Sequence, residues 1–205
     1  TKTLTSLSLT EGSTYYLSVR VTDAAGNVSS VSTADGITID LTAPAGTTVS
    51  DGTGTDITYS GSDTTLSANW AAFTETVSGL QKYEYAIGTT SGGTDVLTWT
   101  DNSTTASVTK TGLTLTSGST YYISVRSTDI AGNVSTTITS NGVTVDTAAP
   151  SAGSVTDSSS TDLDWTRSTS TLTGVWTGFS DALSGIEKYE YAIGTTSGGT
   201  NVVTW

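Results

Sequence analysis

The chain has 205 residues, of which 34% are hydrophobic, a formal net charge of −12, and neither His nor Cys. It therefore cannot assemble a Ser-His-Asp triad, a Cys nucleophile, a disulfide framework or a zinc site of the usual ligand set. Nineteen acidic residues against seven basic ones repel a phosphate backbone, so nucleic acid is excluded as an expected partner.

Ser and Thr exceed a third of the residues, with 22 Gly and only two Pro, which is the composition of an all-β protein. No apolar run approaches the ~18 residues of a membrane span, so no membrane insertion is expected within this segment. No charged-then-apolar leader opens the chain, and any export signal is expected to lie outside it.

Read in chain order, residues 12–20 (GSTYYLSVR) contain the first alternating stretch, and Asp23 and Asn27 bracket a turn. A junction follows at Asp40 and Pro44, where Pro ends a strand and stiffens a link. Leu66, Ala68 and Trp70 then alternate with Ser67 and Asn69; Tyr83, Tyr85 and Ile87 flank Glu84; Tyr121, Ile123 and Val125 alternate with Tyr122, Ser124 and Arg126; Val143 and Val145 flank Thr144. Each pattern predicts a strand with one buried face and its polar residues in water. Gly52, Gly79, Gly92, Gly118 and Gly132 mark the turns between strands.

A second junction lies at Asp146 and Pro150. Beyond it the thirteen letters KYEYAIGTTSGGT of residues 82–94 return at residues 188–200. That offset of 106 also relates Pro44 to Pro150, Trp70 to Trp176, Trp99 to Trp205 and residues 12–20 to 118–126.

The repeat divides the chain into residues 1–42, the back half of one unit; residues 43–148, a complete unit; and residues 149–205, the front half of another. Two origins are compatible with this phase: a window on a longer covalent array, or half-units that neighbouring chains complete. About seven short strands per unit predict tandem seven-stranded Greek-key β-sandwiches.

Trp70, Tyr83, Tyr85 and the stretch GLTLTSGSTYYISVRSTDIAGNVS at residues 112–135 resemble the bacterial fibronectin type III-like and immunoglobulin-like repeats of large extracellular surface proteins. The resemblance implies that Leu115 and Tyr121, with Leu9 and Tyr15 as their second copies, form a tyrosine corner. In that motif the ring fills the core and its hydroxyl bonds nearby backbone.

In a sandwich of this type the loops after the second and sixth strands lie beside the entering linker. The residues there are Glu75, Asp129 and Asn133, with Asp40 in the linker; the next joint has Asp146 and Asp181. Oxygen ligands from a linker and two loops suit Ca²⁺. The spacing from Asp129 to Asn133 is equally that of a tight turn, in which Asp caps and Asn and Gly accept positive φ.

Trp70 and Trp176 share the phase of Leu66 and Ala68 and are expected in the core, and Trp99 is expected to cover a sheet face. Trp165 takes the place of Tyr59 at an otherwise polar loop position, which is either a platform for surface glycans or a staple within the loop.

No nucleophile, base and orienting group converge in the repeat, so no enzyme is expected. The leading expectation is a non-catalytic structural repeat of an extracellular fibre, filament or adhesin stalk, a rod growing by roughly 35–40 Å per repeat and partnered head-to-tail by copies of itself or adjacent repeats. The alternative is a carbohydrate-binding accessory module of a secreted protein, with Trp165 and Tyr59 on the ligand.

Overall fold

The computed structural model describes residues 1–158 and 161–205, and every regular element among them is a β-strand. In chain order these are β1 (Thr14–Tyr15), β2 (Ser18–Val19), β3 (Ser32–Thr33), β4 (Ile37–Thr38), β5 (Val49–Asp51), β6 (Tyr59–Ser60), β7 (Leu66–Trp70), β8 (Leu80–Gly88), β9 (Leu97–Asp101), β10 (Ser107–Lys110), β11 (Thr120–Asp129), β12 (Ile138–Thr139), β13 (Val143–Val145), β14 (Ser154–Thr156) and β15 (Val175–Thr177). The chain forms two compact units. One comprises Thr1–Thr58, Thr64–Leu113 and Thr120–Val143; the other comprises Tyr59–Asp63, Thr114–Ser119 and Thr144–Trp205.

The first unit is a sandwich of two antiparallel sheets. One has the order β10–β7–β5, with Val49 opposite Trp70 and Val108 opposite Ala68. The other runs β9–β8–β11, with β12 also paired to β11.

β8 and β11 are the longest strands, and their register sets Ile87 against Ile123, Tyr85 against Val125 and Tyr83 against Ser127. Period-two alternation turns these apolar residues to one face. They bury with Leu66, Ala68 and Trp70 of β7.

The sheets are joined through Tyr83. Its ring packs edge-on against Trp70 at 5.5 Å and Phe73 at 5.3 Å, and its hydroxyl accepts the Phe73 N–H at 2.9 Å. Edge-to-face rings add to what their buried area supplies. Of the tyrosine corner implied by the family resemblance, residues 1–42 show the hydroxyl-to-backbone bond, the Thr10 N–H donating to the Tyr15 hydroxyl at 2.9 Å, while the Tyr15 ring is only half-buried. Tyr121, the later copy of Tyr15, is buried.

One expected water-facing residue is buried instead. Ser124 is fully covered because β12 pairs beside it, with Thr139 opposite and the two hydroxyls 3.0 Å apart. Alternation specifies a face, but an added edge strand decides how much of that face meets water.

In the second unit β6 pairs in parallel with Thr144 and Val145 of β13, and β14 forms an antiparallel ribbon with β15. An aromatic trio repeats that of the first unit. Tyr189 lies 5.8 Å from Trp176 and 5.9 Å from Phe179. Trp176 nevertheless stays partly exposed, contrary to its expected core position. Trp70 is met from the opposite sheet by Tyr83 of the nine-residue β8, whereas residues 188–194, which hold Tyr189, are not a strand.

Asp51 ends β5 fully buried. Its Oδ2 accepts the Gly142 N–H at 3.1 Å, while its Oδ1 has no partner. Burial, opposed by the Ser140 hydroxyl and reinforced by the negative Asp56, pushes its carboxyl up to about 6.

Two outcomes follow from this packing. Tyr83→Phe is expected to lose roughly 1–3 kcal/mol in urea unfolding, because it leaves the buried Phe73 N–H unpaired. For Asp51 the folded carboxyl holds its proton up to a higher pH than the unfolded one, so stability falls as pH rises from about 4 to about 6. Asp51→Asn is therefore expected to raise the urea midpoint at pH 7.5, with the gain shrinking away by pH 4.

Candidate functional site

β7 ends at Trp70, and the loop after it carries Glu75. β11 ends at Asp129, whose turn closes at Asn133, and the stretch before Pro44 carries Asp40. These elements bring one carboxylate oxygen each of Asp40, Glu75 and Asp129 within 4.8 Å of one another. Asp40 and Asp129 are buried and Glu75 is half-buried.

Much of the arrangement is held by backbone donors. Asp40 Oδ1 accepts the Thr42 N–H at 3.1 Å and its Oδ2 the Ser78 N–H at 3.1 Å, so one side chain ties the linker to the loop after β7. Glu75 Oε1 accepts the Val77 N–H at 2.7 Å, while its Oε2 is buried and has no partner. Three oxygens in that space form a hard donor set of the kind that takes Ca²⁺.

Asn133 enters as a donor. Its backbone N–H and side-chain Nδ2 bond the two oxygens of Asp129 at 2.8 and 2.9 Å, and Nδ2 also reaches the Asp40 carbonyl at 3.2 Å. Burial raises the Asp129 carboxyl, but the Asn133 side chain and the turn N–H groups outweigh it and leave the group below its ordinary value.

Asp23 and Asn27 make the same pair of bonds, each at 2.8 Å, in an exposed setting. The Asp–Asn pairing is thus turn chemistry that the local sequence makes for itself, with Gly132 (φ 96°) and Gly26 (φ 91°) at the left-handed position. What distinguishes residue 129 is the approach of Asp40 and Glu75.

The later joint repeats the linker tie. Ser184 N–H bonds Asp146 Oδ2 at 3.1 Å and Asp181 Oδ1 at 2.8 Å. The N–H groups of Leu183, Gly185 and Ser184 hold the Asp181 carboxyl below its usual range. Sequence reasoning overlooked Ser78 and Ser184, whose part is played by backbone N–H groups. The signal available was the Ser-Gly pair shared by both loops.

On the outer face of the β9–β8–β11 sheet, Arg126 Nε lies 3.0 Å from Glu84 and its guanidinium stands 4.3 Å over the Trp99 ring. Lys82 pairs with Glu84 at 3.2 Å and Asp101 at 3.5 Å. Trp99 covers the sheet face as its position predicts, and its partly exposed ring is capped by Arg126. In the second unit Trp165 is 89% exposed and Tyr59, on β6, is 41% exposed.

No family model matches the chain. Among the proteins it is similar to are Exoglucanase B of Cellulomonas fimi, 36% identical over 152 residues, and Chitinase A1 of Niallia circulans, 34% identical over 149 residues. The aligned segment is 74% of this chain and 13% of the exoglucanase, and 72% of this chain and 19% of the chitinase. The chain thus spans less than a fifth of either relative's length, and what it shares with each is a segment longer than one 106-residue repeat.

Proposed function

We propose that the chain is a non-catalytic accessory segment of an extracellular, polysaccharide-acting protein, a row of β-sandwiches that spaces its neighbours and offers exposed aromatic rings to polysaccharide. The observation that carries this reading is the recurrence of one segment in an exoglucanase and a chitinase while it covers less than a fifth of each. A part common to enzymes named for different substrates does not carry the chemistry that separates them. The repeat alone leads to a fibre or stalk, and the same rod geometry serves as a spacer beside a catalytic domain.

Within this reading Trp165 and Tyr59 are the contacting rings, flat apolar faces with a polar rim, suited to stacking on sugar. Co-sedimentation of the purified chain with insoluble cellulose and with chitin is expected to show saturable retention. Trp165→Ala is expected to weaken it about fivefold, corresponding to roughly 1 kcal/mol of ring contact. Absence of retention on both polymers would remove the contact, and release of reducing sugar by the chain alone would overturn the non-catalytic assignment.

The reading also gives Asp40, Glu75 and Asp129 to Ca²⁺, with Asp146 and Asp181 as the corresponding pair at the later joint. Support comes from the convergence of three carboxylates and from the buried, unpartnered Oε2 of Glu75. An ion there would offset the repulsion of the three groups and tie the linker, the loop after β7 and the turn after β11 together. Added Ca²⁺ is expected to raise the melting temperature and EDTA to reverse it. Glu75→Gln, which keeps the oxygen that accepts the Val77 N–H, is expected to abolish the response, as is Asp129→Ala. An equal response in wild type and Glu75→Gln would remove the ion from this site.

A further inference from the structure

Asp51 and Asp56 form an acidic pair that closes a loop on itself. The Asp51 N–H donates to Asp56 Oδ1 at 2.7 Å, the Ile57 N–H returns to the Asp51 carbonyl at 3.1 Å, and Asn69 Nδ2 reaches the Gly52 and Gly54 carbonyls at 3.0 Å each. At the repeat offset, Asp157 and Asp162 make the first of these bonds again at 3.0 Å, so the loop of residues 52–57 is chemistry of the local sequence.

A distant segment is fastened to that loop through the same pair. Asn141 Nδ2 donates to Asp56 Oδ2 at 2.8 Å and the Gly142 N–H to Asp51 Oδ2 at 3.1 Å, although 85 and 91 residues separate the partners. Gly142 stands at φ 97°, where a Cβ would fall 2.7 Å from the Tyr122 ring and 2.9 Å from Thr120. A side chain is thus excluded there, and the turn keeps the backbone conformation that points its N–H at Asp51.

The two carboxyls differ in their surroundings. Asp56 is exposed, whereas Asp51 is fully buried with its Oδ1 unpartnered. Among the described residues packed against Asp51, no positive group offsets its charge. β7 places Ala68 opposite it and Asn69 alongside, β11 turns Tyr121, Ile123 and Val125 inward, and residues 140–142 bring Ser140, Asn141 and Gly142. Arg126 of β11 is engaged with Glu84 and Trp99 on the outer face, and Asp129 with its own turn. The charged neighbour is Asp56, and it is negative. An ionised Asp51 therefore meets desolvation and repulsion together, while a protonated one carries its hydroxyl among polar neighbours without a buried charge.

We propose that Asp51 is a proton-operated latch. Protonated, it holds residues 52–57 against residues 140–142; ionised, it releases them, and this end of the sandwich opens to water while the core stays folded. The latch stands apart from the carboxylates given to Ca²⁺. Asp51 ends β5 beside Ser67 and Ala68, whereas the Glu75 loop follows the far end of β7. It rests on neither the Ca²⁺ nor the polysaccharide reading. The closed carboxyl keeps its proton up to about 6 and an opened one only to its ordinary value of 3.8, so opening becomes easier as pH rises between these values and levels off above them.

The test is amide hydrogen exchange of the 205-residue chain from about pH 4 to about pH 7.5, read by NMR, corrected for intrinsic rates, and repeated in subdenaturing urea. The Gly142 and Asp51 amides are expected to be less protected than the paired amides of β8 and β11 and to respond little to urea, as local opening does. Their protection is expected to fall about tenfold by about pH 6 and then to level. Asp51→Asn keeps an oxygen for the Gly142 N–H and removes the titration, so its Gly142 amide is expected to show no such fall. Asp56→Asn, at an exposed position, is expected to move the fall to lower pH. Wild-type Gly142 protection that does not change with pH overturns the inference. So does a fall that persists in Asp51→Asn, or Gly142 exchange with the urea dependence of the core, because the segment then opens only when the whole unit unfolds.

Discussion

The pairing of β8 with β11 is the interaction on which the rest of the structure depends. It turns Tyr83, Tyr85 and Ile87 inward together with Ile123 and Val125, so one ladder builds most of one side of the core. The inward step delivers Tyr83 to Trp70 and Phe73, joining the second sheet to the first. The outward step delivers Glu84 to Arg126, and Arg126 to Trp99 on the strand beyond. Apolar burial and ion pairing are thus the two faces of a single register, and a slip by one residue would exchange them.

Carboxylates do a second kind of structural work in a chain with few basic residues. Asp40 and Asp146 each hold a linker to a loop by accepting a Ser N–H, and Asp23, Asp129 and Asp181 each close a turn on backbone donors. The Asn27 and Asn133 side chains together with backbone N–H groups at Asp23 and Asp129, and backbone N–H groups at Asp181, supply the positive ends that Lys and Arg do not and hold these turn carboxyls below their ordinary values. Asp51 shows the opposite case. Its second oxygen lacks a donor, and burial then favours the protonated form.

Turns and linkers held by backbone bonds give each repeat defined ends, and a Pro at each junction stiffens the passage between them. Tyr59 and Trp165, which share one position of the repeat, are both exposed and stand outside the core.

Much of the fold was legible along the chain. Alternation located β7, β8, β11 and β13, the offset of 106 gave the repeat, and the Asp129 to Asn133 spacing gave a turn that the structure forms. The cation–π contact of Arg126 with Trp99 was not legible, because it joins two strands that meet only through β8 between them. The covering of Ser124 was hidden for a similar reason, since it depends on where β12 attaches.

The plainest case is KYEYAIGTTSGGT, whose first seven residues lie in the core strand β8 at residues 82–88, while the same letters at 188–200 are largely exposed. By itself the sequence determined which residues alternate, where the chain turns, and which side chains are fit to be buried. Whether they are buried was decided by tertiary structure alone, because apolar surface leaves water and ladder hydrogen bonds close only when a partner strand is there to meet them.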